Sequence, residues 1–501
     1  MEKRLILAIA FSMLILVIWS AMVPKPPAPK ISVPQESLAT PKPTVINNGL
    51  EPEETSLPTV SYLQKNFEVI FVAPRAAIKE IIFKPYLSHR FTLKNGYGLT
   101  DKSLVFTPEN ITSQGIDFVY KDKTKEIKKE FIFHNSNYSI DLNISIRNVS
   151  SSPLIIDYPL ILGSVDFKSD PVEARFKDIV VASEGKTLRI AANKDAKYVQ
   201  TEYVGLRDRY FCNIVQTDFD NATVLIRKAN DKEAEVILNM DKSTLNPGAV
   251  LQHKFRIYLG PQDLKIIRSA NSAWVGIINY GFFDLISQIL LQLLGLFYNA
   301  VHNWGVAIII LSIAIYFLLF PLSLKQMRSM KEMQALQPRI EALKKTYKDN
   351  PQKMHKETLA LYKEHKVNPL GGCLPLLLQM PVFFALYQAL MRSVALKGAN
   401  FLWIKDLSEP DRLIVFSRSL PLIGNAFNVL PILMAIIMFL QQKFSMAATN
   451  SEYAEQQKMM LIIMPIMFGF IFYQMPSGLV LYWMVNSLLM AIFQVRTNKA
   501  K

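Results

Sequence analysis

The residues of this chain whose types and spacing suit chemistry are uncharged. Ser312 and Tyr316 stand four apart in one apolar run, Asn425 and Asn428 three apart in a second, and Tyr482 and Asn486 four apart in a third, with Trp483 beside them. On a helix such spacings put both members on one face. Hydroxyls and amides there trade hydrogen bonds; none is a base or acid near neutral pH. Two uses stay open: bonds between helices that hold a bundle together, or a shared hydrated groove that lowers the cost of moving a polar peptide part-way through a bilayer.

The chemistry of an enzyme is not legible. No Walker loop, Gly-rich dinucleotide turn, HExxH or G-x-S-x-G occurs in the 501 residues. His89, His134 and His253 are scattered, without metal spacing or a nucleophile motif nearby, and read as structural. Cys212 and Cys373 lie in regions of different character and read as small buried apolar residues, so neither a disulfide framework nor a metal site is expected. The formal charge of +15 would suggest nucleic acid in a soluble protein, but 50% of the chain is hydrophobic and the cations flank long apolar runs. They are read first against the positive-inside rule, and no specific nucleic-acid sequence is expected as a partner.

The elements that must position these residues follow from periodicity. Residues 5–23 are an uncharged run behind Lys3 and Arg4, too long for the core of a cleavable signal and long enough to span; residues 1–23 read as a signal-anchor. Residues 24–61 are a Pro-rich tether. Over 62–268 the period becomes two: in 138–147 it sets Ile140, Leu142, Ile144 and Ile146 on one face. Similar runs at 67–72, 78–83, 130–133, 153–162, 223–226 and 235–240 predict an all-β sandwich. Residues 269–300 return to helical spacing, interrupted by Asn279, Asp284, Gln288 and Gln292. Asp284 would be costly in mid-bilayer, so an amphipathic helix on the membrane surface is expected.

Residues 301–501 hold five further spans, at 301–322, 372–391, 420–440, 459–474 and 477–495, making six with the anchor. None has an Asp, Glu, Lys or Arg inside it, which counts against a pump or an ion-coupled carrier. Residues 325–366 carry 11 Lys/Arg against 5 Asp/Glu, and 397–418 carry 4 against 3. That asymmetry predicts both termini in the cytoplasm and the β domain in the periplasm. The helical patterning of 325–366, broken at Asn350-Pro351, predicts a cytoplasmic helical hairpin.

The run NPLGGCLPLLLQMPVFFALY at 368–387 resembles the third-span signature of the YidC-type membrane protein insertases of the YidC/Oxa/Alb family. NWG at 303–305, LQPRIEALKKTY at 336–347, FLWIKDL at 401–407 and MPSGLVLYW at 475–483 match in order. The resemblance covers about 301–495 closely; the anchor, tether and β domain match the Gram-negative layout in arrangement alone. It implies an α-helical bundle of five conserved spans around a groove open to cytoplasm and lipid, with an all-β supersandwich in the periplasm. The implied activity is insertion and folding of nascent inner-membrane proteins, alone or with the Sec translocon, from the ribosome, in contact with membrane lipids and without ATP or a cofactor. On matching positions it implies groove contacts at Ser312, Met380, Phe383, Tyr482 and Trp483. One position departs: Tyr316 stands where the family usually carries an arginine. A tyrosine donates a hydrogen bond but supplies no cation, so the groove is expected to work through polarity and local thinning of the bilayer. The weaker alternatives are a lipid or solute transporter and a membrane-anchored sugar-processing β domain.

Overall fold

The computed structural model describes residues 57–499, apart from 135–136, 167–170, 191–194, 218–221, 231, 349, 366, 368–373, 421–423 and 446–452. The expected anchor, most of the tether, Cys373 and the start of the 368–387 run lie outside the described residues.

Strict alternation builds the β domain. Ser139–Asn148 buries Ile140, Leu142, Ile144 and Ile146, and pairs antiparallel with Lys125–His134 on one side and Val250–Pro261 on the other. It thus sits inside a nine-stranded sheet running from Lys186–Ile190 to Thr107–Ile111. A five-stranded sheet and a four-stranded one, whose strands begin at Thr59–Leu63, share one hydrophobic core with it. Aromatic rings stack in this core: Phe83 on Phe211 at 4.1 Å and Tyr62 on Phe133 at 4.4 Å. The first strand lies partly within the stretch read as tether. The run 153–162 is not one strand. Leu154–Ile156 joins a two-stranded ribbon and Leu160–Asp166 the five-stranded sheet, because Pro159 between them has no N–H to give a ladder.

One core position is a lysine. Lys129 is fully buried; its Nζ donates to the Ala76 carbonyl at 2.5 Å and to the Tyr97 carbonyl. Ala76 (φ 44°) and Tyr97 (φ 65°) both have left-handed backbone, so the ammonium ties down two turns whose carbonyls no strand can use. Loss of water lowers its pKa from 10.5 to about 7.

Helices follow. α1 (Leu264–Ala270) is capped by Asp263, whose carboxylate accepts from the N–H groups of Lys265 and Ile266. A 3₁₀ turn at Ser272–Ile277 comes next, and α2 (Asp284–Val301) starts later than the helical spacing over 269–300 suggests. Asp284 opens α2, its carboxylate accepting from Tyr280 N and Gln288 Nε2. α3 (Trp304–Ala335) runs through Pro321 and carries α4 (Gln337–Thr346) and α5 (Pro351–Glu364) at its far end. Asn350 caps α5 and Pro351 sits at its first turn; Leu336, Ile340 and Val367 are buried between the two helices.

α6 (Leu374–Arg392), α7 (Leu430–Ser445), α8 (Tyr453–Phe472) and α9 (Ser477–Lys499) complete the bundle. The segment 420–440 is not one helix. Ile414–Leu420 and Gly424–Phe427 form a hairpin, with Gly424 at φ 76°, and helix begins only at Leu430. Asn425 therefore lies on a strand and Asn428 ahead of α7, so they share no helix face. Among the described residues Asp284–Val301, Trp304–Leu324 and Ser477–Arg496 are long and apolar enough to cross a membrane, and Leu430–Phe444 and Leu461–Phe472 are shorter apolar helices.

Candidate functional site

The expected site residues divide into a group along the bundle and a group at its β-domain end. Along the bundle, α3 presents Ser312 and, one turn later, Tyr316, both buried. Ser312 is satisfied within its own helix: its Oγ donates to the Ile308 carbonyl at 2.7 Å. Tyr316 is not. Its Oη is buried without a hydrogen-bond partner among the described residues, and its ring meets Phe320, which touches Phe493 of α9. A buried phenol left unpaired costs roughly 1–3 kcal/mol, so such a group is a standing demand for a water or a guest's polar atom.

α9 contributes Tyr482, Trp483 and Asn486. Tyr482 is fully buried and its Oη accepts from Gln379 Nε2 of α6 at 2.6 Å, while Asn486 Nδ2 donates to the Tyr482 carbonyl at 3.0 Å. Trp483 sits in an aromatic cluster: Phe383 of α6 edge-on at 5.1 Å, Phe472 at 5.4 Å, and Phe468 stacked at 5.7 Å, the last two from α8. Such offset and edge contacts each contribute about 0.5–1.5 kcal/mol beyond burial. Met380 is half-buried on α6, next to Gln379. The structure thus brings Phe383 to Trp483 and Tyr482 to Asn486. Gln379, Phe468 and Phe472 escaped the sequence reading; a lone glutamine among leucines was the available signal.

Asn425 is exposed on its hairpin, away from these residues. Asn428 is a structural lock: its Oδ1 accepts from Arg412 N at 2.9 Å and its Nδ2 donates to the Tyr473 carbonyl at 2.7 Å. Beside it Asp411 Oδ2 accepts from Val429 N, Leu430 N and Trp403 Nε1. A carboxylate on the first N–H groups of α7 meets the positive end of that helix.

The same end of the bundle carries the β domain. Arg209 projects from the turn after Thr201–Arg207 and is almost wholly buried, its side chain 4% exposed. Its guanidinium donates to the carbonyls of Met391 and Ser408 at 2.8 Å each, and to the carboxylates of Glu409 at 3.0 Å and Glu173 at 3.2 Å. Burial works against its charge, yet Tyr210, Glu409 and Glu173 outweigh it and raise its pKa. Tyr210 Oη meets Ser408 Oγ at 3.1 Å. Glu409 in turn is held by Ser477 of α9, whose N and Oγ both donate to the Glu409 carbonyl at 2.8 Å. Sequence reasoning missed Arg209, whose partners in the bundle, Met391, Ser408 and Glu409, lie about two hundred residues away. His89 and His134 each pair one carboxylate, Asp208 at 3.0 Å and Asp141 at 2.8 Å. Cys212 is buried in the β domain, and burial pushes its thiol pKa up.

A large β domain joined through a buried arginine to an apolar helical bundle is the build of a membrane protein with an extramembrane module. The family model for the 60Kd inner membrane protein matches residues 296–501, and that for the YidC periplasmic domain matches 90–293. The membrane protein insertase YidC of Geotalea uraniireducens (strain Rf4) is 32% identical over 550 residues, covering 100% of this chain and 99% of its own. That of Citrifermentans bemidjiense is 36% identical over 410 residues, covering 79% and 70%. Among solved structures, an active YidC insertase with its first transmembrane domain resolved covers 87% of this chain and 92% of its own, at 20% identity and a TM-score of 0.42. The chain belongs to the YidC family of membrane protein insertases, an inner-membrane family without enzymatic activity.

Proposed function

We propose that this chain inserts nascent inner-membrane proteins and helps them fold, through a polar groove bounded by α3, α6 and α9. The observation that carries the groove is Tyr316: a buried hydroxyl without a partner among the described residues, on the face of α3 that also holds Ser312 and turns toward α9. A client's backbone amide or a water would satisfy it, and the aromatic cluster around Trp483 offers an apolar wall to the entering side chains. No groove cation is supplied at position 316, so clients are drawn in by polarity and a thinned bilayer rather than by charge. Six spans are proposed, with both termini cytoplasmic and the β domain, a supersandwich, periplasmic. Sec components and the ribosome are proposed partners, the ribosome at α4 and α5.

A second reading has its own support. Gln379–Tyr482 and Ser312–Ile308 are closed hydrogen bonds, as a bundle needing only internal glue would have them. Crosslinking from photoreactive residues at 312, 316 and 483 to a stalled nascent membrane protein separates the two. Adducts are expected from all three; none from any would leave only the glue. Tyr316→Arg should leave neutral clients unchanged and favour acidic ones; an unchanged preference would mean that the groove's field is irrelevant.

A further inference from the structure

A cleft of about 1010 Å³ lies where the β domain's last helix, α1, meets α2 and the segment after α6. Its lining is two-sided. α1 supplies Lys265 and Arg268, exposed, one turn apart, and with no ion-pair partner among the described residues. α2 supplies Gln292 and Asn299, while Ile278 and Leu291 form an apolar floor. The single carboxylate among the described residues of the wall, Asp263, is engaged by the first N–H groups of α1. The lining therefore combines cations and amides with apolar side chains.

α2 sets what can reach it. Its Leu290 and Leu294 are buried in the bundle, but Leu285 is 73% exposed and Leu296 61%, with Phe282 just ahead of the helix at 94%. A helix with such a bare apolar stripe meets lipid along that side. Trp304, in the cleft wall, stacks on Tyr298 at 3.9 Å, an aromatic pair of the kind that marks headgroup depth.

We infer that this cleft binds the headgroup and upper acyl carbons of an anionic phospholipid. The phosphate meets Lys265 and Arg268, the glycerol hydroxyls and esters meet Gln292 and Asn299, and the first acyl carbons rest on Leu291 and Ile278. Charge complementarity favours a lipid anion over an acidic peptide, because the lining includes the apolar Ile278 and Leu291 and reaches Leu296 of the exposed apolar stripe of α2. The inference rests on α2 meeting lipid; it does not need the chain to insert clients, and its test reads binding alone.

Native mass spectrometry of the full chain in detergent, titrated with phosphatidylglycerol or phosphatidylcholine, tests this. Wild type should retain one phosphatidylglycerol at a concentration about tenfold below that needed for phosphatidylcholine, and Lys265→Gln with Arg268→Gln should abolish the difference. Gly295 also lines the cleft, and a Cβ there would meet nothing within 4 Å, so Gly295→Phe should keep the helix and put a ring in the lipid's way, lowering retention of phosphatidylglycerol to the phosphatidylcholine level. An undiminished preference in both variants would overturn the site. Displacement of the lipid by an equal concentration of soluble glycerol 3-phosphate would overturn the lipid assignment, since a free anion would then suffice.

Discussion

Replacing Lys129 by methionine should remove a pH dependence that the β domain carries. In the unfolded chain the ammonium stays protonated to about pH 10.5, whereas in the folded domain burial brings its pKa to about 7. Between those values the unfolded state binds more protons, so this group makes stability rise with pH, by up to about 1.4 kcal/mol per unit. From pH 7, where the folded group is half-protonated, to pH 9.5 the gain is roughly 3 kcal/mol. Below pH 7 the group is charged in both states and its cost is constant. Cation–π contacts with Phe106 at 5.7 Å and Phe131 at 5.6 Å, and the two carbonyl bonds, offset part of that cost. Methionine removes the buried charge but strips a donor from the carbonyls of Ala76 and Tyr97, each worth about 1–3 kcal/mol when left bare. Wild type and variant should therefore unfold at similar urea near pH 6.5, while at pH 9.5 the variant should fall behind by roughly 3 kcal/mol. Urea unfolding of the full chain in detergent, followed by the β-sheet circular dichroism signal, measures this. Parallel pH profiles would refute the assignment of a lowered pKa to Lys129.

Arg209→Met should strand Glu409 and the Ser408 and Met391 carbonyls, costing about 3–5 kcal/mol as other broken buried pairs do; hydrogen exchange should speed up across 391–411 while the core of the β domain stays protected. Tyr482→Phe should cost about 1–3 kcal/mol by leaving Gln379 Nε2 unpaired, and adding Gln379→Leu should restore most of it in a thermal-melt double-mutant cycle. Gly305→Ala would put a Cβ into the Phe401 ring, so the ring must shift; a loss of about 1–3 kcal/mol is expected, visible as a lowered melting temperature, and Phe401→Leu should relieve it.

How much of this was legible in the sequence varies with the range of the interactions. The alternation through 138–147 is a local signal, and one strand between two others buries just the side chains that it marks. Ser312 with Tyr316, and Tyr482 with Asn486, were readable as faces because both pairs lie on uninterrupted helix. Asn425 and Asn428, three apart, had an equally helical spacing, but Asn425 lies on the strand Gly424–Phe427 and the pair falls outside α7. Periodicity describes a face only where a helix exists, and apolar content alone does not show where one starts.

By itself the sequence determined the division of the chain: strand-period residues over 62–268, helix-period residues from 269 onward, and a basic helical segment between two of the later apolar runs. These depend on side-chain patterning within a few turns or strands, and so need no partner. The motif order at 303–305, 336–347, 368–387 and 475–483 was equally local and pointed to the family. Only the tertiary structure decided what the polar residues do. Ser312 closes on its own helix, Tyr316 is left open, and Gln379 claims Tyr482. Lys129 is buried among phenylalanines because two left-handed turns need its donors. Arg209 finds Glu409 two hundred residues away. A hydrogen bond takes its meaning from which acceptor arrives within about 3 Å, and that is set by how distant segments pack.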